Sequence, residues 1–116
     1  MGQLLIKNAK LVNENIQREC DILLENNFIQ RIDSSISPKN AKVIDVKGKY
    51  VLPGMIDDQV HFREPGLTQK GTIATESRAA LAGGITTYME QPNTVPQTTT
   101  IEKLEEKFNI AANTSF

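Results

Sequence analysis

The sequence is short of cysteine, of histidine and of net charge, and each shortage excludes something. Its single cysteine, Cys20, rules out a disulfide within the chain and suits a reducing cytoplasm, the expected compartment. Cys20 itself reads as a buried strand residue rather than a nucleophile. A formal net charge of -1 provides no basic patch to steer toward phosphates, so neither nucleic acid nor a membrane surface is an expected partner. No apolar run approaches the roughly 20 residues of a membrane span. The N-terminus, from Met1 to Asn8, has no basic start followed by a long apolar block, so it does not read as a signal peptide. What remains is 116 residues, 39% hydrophobic and 23% charged, ordinary for one modest soluble domain.

The stretch that is there, and that organises the rest, is Gly54 to Gly66: Gly-Met-Ile-Asp-Asp-Gln-Val-His-Phe-Arg-Glu-Pro-Gly. Leu-Pro-Gly opens it as a breaker, and Glu64-Pro65-Gly66 closes it as a turn. Successive side chains on a strand point to opposite faces. Asp57, Gln59, His61 and Arg63 are therefore expected on one face, with Ile56, Asp58, Val60 and Phe62 on the other. An acid, an amide, an imidazole and a guanidinium make a poor apolar core and a good site for a metal and an anion. The plainer alternative is an edge strand with its polar face in water.

Residues 1–53 read as a small β module, part of a sandwich or barrel-like unit, with short strands between polar turns. Expected strands cover Leu4–Ile6 continuing through Lys10–Val12, then Asp21–Glu25, Phe28–Ile32, Val43–Val46 and Tyr50–Leu52. Asn26-Asn27 signals a hairpin turn, because Asn tolerates positive φ. Val43–Val46 and Tyr50–Leu52 are expected to pair with each other around Lys47-Gly48-Lys49. Nothing in this module carries chemistry.

From residue 54 to 116 the period changes. Ile73, Ser77, Ala80 and Leu81 share one helical face, and Gly83-Gly84 stops that helix. Ile85–Met89 reads as a strand by its β-branched and aromatic content. Thr99-x-x-Glu102 is a candidate capping box. Ile101, Leu104, Phe108, Ala111 and Ala112 then repeat at helical spacing. Strand, helix, strand, helix is the signature of parallel β/α units. Two such units cannot close a barrel, which takes about 250 residues. The expectation is an α/β chain: a β-sandwich part (1–53) followed by the first two units of a truncated TIM-type (β/α)8 barrel (54–116). The alternative is a self-contained α+β domain of this length. Sheet edges and apolar helix faces left open by truncation invite pairing. The chain by itself is therefore expected as a homodimer or other oligomer, as a partly unfolded species, or bound to the missing C-terminal part of the barrel.

The block from Gly54 through Leu67-Thr68 also resembles the first barrel strand and loop of dihydroorotase, in the cyclic amidohydrolase superfamily. Ala-Gly-Gly-Ile-Thr-Thr (82–87) and Gln-Pro-Asn-Thr (91–94) resemble the same family's second-strand segment. Phe62-Arg63-Glu64-Pro65-Gly66 favours dihydroorotase over the hydantoinases. The resemblance runs from residue 3 to about 100. It implies a zinc-dependent enzyme of pyrimidine biosynthesis that reversibly cyclises N-carbamoyl-L-aspartate to dihydroorotate, with zinc supplying a nucleophile near neutral pH. It implies that His61 is one metal ligand of a His-x-His pair. The other position is Gln59, and an amide oxygen is a weak zinc ligand.

The resemblance further implies that Arg63, with its rigid fork, and Asn93 bind the substrate's carboxylate. Asp57 and Glu64 read as supporting residues, and no catalytic residue is assigned within this chain. With one histidine in all, the chain cannot complete a metal site and is expected to be inactive alone. Two other readings stay open. One is a non-catalytic dihydroorotase-like partner of aspartate carbamoyltransferase; the other is a cyclic amidohydrolase for an uncharged ring, an allantoinase or hydantoinase.

Overall fold

Asn26 and Asn27 both take positive φ, 50° and 67°, in the computed structural model, which describes residues 2–115. That backbone suits a two-residue turn whose twist matches the strands it joins. Glu14 and Asn15 do the same one hairpin earlier, at 51° and 60°. The turns connect β1 (Gln3–Asn13), β2 (Ile16–Glu25) and β3 (Phe28–Asp33) into an antiparallel meander. β2 begins five residues earlier than expected and carries Cys20 into the core, as expected of that residue.

The expected pairing of the next two strands is corrected. β4 (Ala41–Asp45) and β5 (Tyr50–Val51) do not pair with each other; both run parallel to β1. The cause is a bulge in β1. Asn8 sits at φ 57°, the register against β2 shifts between Ile6 and Ala9, and β1 divides into two pairing segments. β4 takes Gln3–Lys7 and β5 takes Lys10–Leu11, with Lys47 and Gly48 turning the chain between them. Gly48 donates its N–H to the Asn8 carbonyl (2.8 Å).

The result is one five-stranded sheet, where two packed layers would make a complete sandwich. Its core is Ala9, Leu11, Cys20 and Ile22, with Ile6, Leu24, Ile32, Val46 and Val51 packed on. Buried Asp21 accepts N–H groups from Asn8 (2.9 Å) and Ile36 (3.0 Å), fastening the bulge and the 34–40 loop to β2.

Contacts divide the chain into Met1–Pro53 and Gly54–Phe116. In the second unit β6 (Met55–Val60) and β7 (Ile85–Glu90) are parallel and adjacent, joined through α1 (Ile73–Ala82) and followed by α2 (Ile101–Thr114). Thr72 caps α1: its hydroxyl accepts from the Thr75 N–H while the Thr75 hydroxyl accepts from the Thr72 N–H, both at 3.1 Å. Gly83 ends the helix, and Gly84 follows in the left-handed region at φ 90°.

The cap of α2 lies one residue later than expected. Thr100, not Thr99, accepts from the Lys103 N–H at 3.4 Å. Glu102 falls in the first turn, where its own N–H and then the Thr100 side chain hold its carboxyl below the usual range.

Val60, Phe62 and Ile73 form the core of this unit, with Ala80, Tyr88, Ile110 and Ala111 around them. The Phe62 and Tyr88 rings meet at 4.6 Å, tilted by 55°. Ile73 and Ser77 are buried as expected, but Leu81 is half exposed. The apolar face of α2 is left open, as expected of the helix faces in this chain: Ile101 (75%) and Phe108 (62%) are exposed. What the helix buries is Lys107, which was not expected. The reason is Glu90 at the end of β7, whose buried carboxylate pairs with the Lys107 ammonium. Lys107 also donates to the Gln91 carbonyl at 3.2 Å. Burial pulls this ammonium below the usual lysine range.

Candidate functional site

β6 ends at Val60, and the expected stripe does not continue as a strand beyond it. The register against β7 slips between Asp57 and Val60, and the Gln59 N–H turns back onto the Asp57 carboxylate at 3.0 Å. Burial still alternates locally: Val60 and Phe62 are inside, while Gln59 and His61 face out. Ile56, expected on the inner face, is exposed because the bulge lies between it and Val60. Phe62 is pinned by its buried ring and by its N–H, which donates to Glu90 Oε1 at 3.0 Å.

Arg63 departs further from a strand. Its backbone is left-handed at φ 71°, so it does not lie two residues along a flat face from His61. It begins a turn instead: its carbonyl accepts the Leu67 N–H at 3.1 Å. Glu64 shapes this loop, as expected, because Oε2 accepts the N–H of Ile73 at the start of α1 (2.8 Å). Arg63 is half-buried, and its guanidinium makes no hydrogen bond or ion pair among the described residues. The Gln59 side-chain amide makes none either.

The loop after β7 is locked to the loop after β6. Val95 donates its N–H to the Pro65 carbonyl at 3.1 Å. Gly66 sits at φ 83°, and a Cβ built there would lie 1.8 Å from the Val95 carbonyl oxygen. Only glycine fits both demands. Thr94 is buried, its hydroxyl donating to the Pro96 carbonyl (2.9 Å) and meeting the Thr98 hydroxyl at 3.0 Å. Beside it, Asn93 reaches across, and its Oδ1 lies 3.1 Å from Nδ1 of His61.

The fold therefore brings His61 and Asn93 into direct contact, while Gln59 and Arg63 stay free of both. Among the described residues no group of three or more His, Cys, Asp or Glu side chains could hold a metal ion. One imidazole and one neutral amide do not by themselves fit zinc, which takes three or four N, S or O donors. A cleft of about 290 Å³ opens elsewhere, lined by Tyr88, Met89, Leu104, Lys107 and Phe108 among others, and none of Gln59, His61, Arg63 and Asn93 lines it. Its lining is mainly apolar, and it offers no constellation for chemistry.

Sequence reasoning missed the buried Glu90–Lys107 pair. A signal existed: Lys107 lies three residues after Leu104 and four before Ala111, in phase with the apolar stripe. Thr72, which caps α1, was missed because its partner is a threonine rather than the usual Glu or Gln.

A family model described as dihydro-orotase-like matches residues 48–114. The dihydroorotase of Methanosphaera stadtmanae is 40% identical over 119 residues, covering all of this chain and 27% of the relative. That of Aquifex aeolicus is 46% identical over 98 residues, covering 83% of this chain and 23% of the relative. Among solved structures, L-hydantoinase (dihydropyrimidinase) from Arthrobacter aurescens superposes with a TM-score of 0.88 at 36% identity, over 96% of this chain and 25% of that one. A D-hydantoinase gives 0.84 at 30% identity, covering 97% and 25%. The chain thus spans about a quarter of the length of the relatives it matches.

Proposed function

The chain belongs to the dihydro-orotase-like family, and from that premise we propose that it supplies the first two rim loops of a dihydroorotase barrel. The reaction of the whole protein would be the reversible cyclisation of N-carbamoyl-L-aspartate to dihydroorotate in pyrimidine synthesis. The observation that carries this reading is the state of Arg63. A half-buried guanidinium without an anionic partner, carried on a loop that is locked to the loop after β7, suits a preformed receptor for a carboxylate. Asn93 Nδ2 lies on the same rim and can donate to that carboxylate, since only Oδ1 is engaged by His61. Dihydroorotate carries such a group; an unsubstituted hydantoin or allantoin ring does not.

His61 would contribute one imidazole to the zinc site that the resemblance implies. The other donors are not among these residues, so the 116-residue chain is not expected to turn over substrate. Adding the downstream portion should give ring opening of dihydroorotate that chelation abolishes. A longer zinc-loaded chain without that activity would end the enzymatic reading. Within an active longer chain, Arg63→Met should raise the apparent KM steeply for dihydroorotate and hardly at all for an uncharged ring. Equal effects on both would remove the carboxylate role and favour a hydantoinase-type substrate.

Gln59 supports a second reading. A neutral amide where the resemblance expects an imidazole suits a dihydroorotase-like protein that no longer catalyses and serves as a structural partner of another enzyme of the route, such as aspartate carbamoyltransferase. Restoring the imidazole separates the two. If Gln59→His creates activity in an otherwise silent longer chain, the silent scaffold is the native state. If the unsubstituted longer chain is already active, the scaffold reading falls.

A further inference from the structure

Two pinned residues hold the His61–Asn93 contact in place. Phe62, next to His61, is buried and tied by its N–H to Glu90. Thr94, next to Asn93, is 2% exposed, tied through its hydroxyl to Pro96 and Thr98, and its N–H donates to the Pro92 carbonyl at 2.9 Å. The side chains between these anchors come from loops 32 residues apart in sequence and meet at 3.1 Å. Asn93 does not use its oxygen to close its own turn, the usual work of an asparagine after proline. It gives that oxygen to an imidazole from the loop after β6.

With Oδ1 of Asn93 facing the ring, the contact is a hydrogen bond when the proton sits on Nδ1 of His61, because a carbonyl oxygen carries only lone pairs. A neutral imidazole has one N–H, which leaves Nε2 as the free acceptor. We propose that Asn93 is a positioning residue for His61, taking the Nδ1 proton and presenting the Nε2 lone pair at the rim. Whatever meets His61 there, a cation or a proton donor, meets a defined nitrogen in a fixed orientation. Orientation of a histidine by a carbonyl on its other nitrogen is how ligating imidazoles are ordinarily held. The amide group keeps Nδ2 for a second partner, so the role adds to carboxylate binding rather than competing with it.

The chain contains one histidine, which makes the test unambiguous. Long-range 1H–15N correlation of the labelled chain at about pH 8.5, some two units above the ordinary imidazole value, reads which nitrogen carries the proton. If the chain associates into large particles, the same two shifts are read by magic-angle spinning. The native chain should show a pyrrole-like Nδ1 and a pyridine-like Nε2, the tautomer an unrestrained histidine disfavours. Asn93→Leu, which removes the acceptor at similar size, should invert that ratio. Asn93→Asp, which restores an acceptor, should return Nδ1–H. A native chain dominated by Nε2–H would overturn the proposal, as would a tautomer ratio unmoved by Asn93→Leu. Should the leucine variant fail to fold, the native and Asn93→Asp spectra still decide it. The inference does not depend on the dihydroorotase reading: loss of either leaves the other standing.

Discussion

Among the described residues each unit buries a carboxylate, Asp21 in one and Glu90 in the other, and the two solve the problem in opposite ways. In the β unit Asp21 is 3% exposed and is satisfied by backbone alone, the N–H groups of Asn8 and Ile36. Those donors belong to a bulge and a loop that need acceptors in any case. In the β/α unit Glu90 accepts one backbone N–H, from Phe62, and sets its other oxygen against the ammonium of Lys107. The first arrangement leaves no buried cation to satisfy. The second joins the end of β6, the end of β7 and the middle of α2 in one cluster, at the cost of desolvating two charges. The difference teaches where each unit is vulnerable: the β unit at a bulge, the β/α unit at a pair whose members cannot be lost singly.

Breaking the pair is the largest expected effect. Removing one member of a buried ion pair leaves an uncompensated charge and typically costs about 3–5 kcal/mol. Lys107→Met should therefore lower the denaturant midpoint of the β/α unit sharply and expose the Phe62 amide to exchange. The double variant Glu90→Gln, Lys107→Met should recover most of the loss, because a glutamine carbonyl can still accept the Phe62 N–H while no charge remains. A double variant as unstable as Lys107→Met would mean the lysine stem, not its charge, holds α2 in place.

The matching change in the β unit should cost less. Asp21→Asn keeps one acceptor and turns an NH2 group toward a backbone N–H. Losing one charge-assisted hydrogen bond in a buried setting costs about 1.5–3 kcal/mol. The loss should appear as faster hydrogen exchange at Ile36 or Asn8, whichever amide is orphaned. Equal protection of both amides in the variant would show that a neutral side chain suffices there.

The same contrast explains what could be read from the sequence. In the β unit the hairpin at Asn26-Asn27 was legible because turn chemistry is local. The placement of β4 and β5 was not, because it depends on the Asn8 bulge, and a single asparagine within an apolar run does not announce a left-handed residue. In the β/α unit the parallel pair and both helices followed from periodicity. The burial of Lys107 on α2 did not, since apolar spacing picks out Ile101 and Phe108 and says nothing of a lysine that Glu90 makes burial-competent. His61 and Asn93 were visible as candidates through their motifs, but their mutual hydrogen bond was not, because it exists only once two loops are locked through Pro65, Gly66 and Val95. Motifs name residues; loop-to-loop packing decides which of them meet.

The smallest expected effect tests whether the bulge is reinforced from the surface as well as from the core. Asp45, exposed at the end of β4, accepts from the Asn8 side chain at 2.9 Å and from the Lys47 N–H at 2.9 Å. The Asn8 amide first, then the Lys47 N–H, holds its carboxyl below the ordinary aspartate value of 3.8. A carboxyl lowered in the folded state contributes stability that is fully present above its unfolded pKa and is lost as pH falls through the folded one. That window opens near pH 3.8 and extends below it. Asp45→Asn should lower the midpoint of the β unit slightly at pH 7, where the carboxylate's contribution is fully present, and make it less steeply dependent on acid below pH 3.8. Some slope should remain, because Asp33 in the same unit is likewise lowered, chiefly by its hydrogen bond from Arg31. If the variant instead lost as much stability at neutral pH as Asp21→Asn, Asn8 would be held mainly from outside. The distinction between a bulge fastened by a buried acid and one fastened by an exposed acid would then reverse.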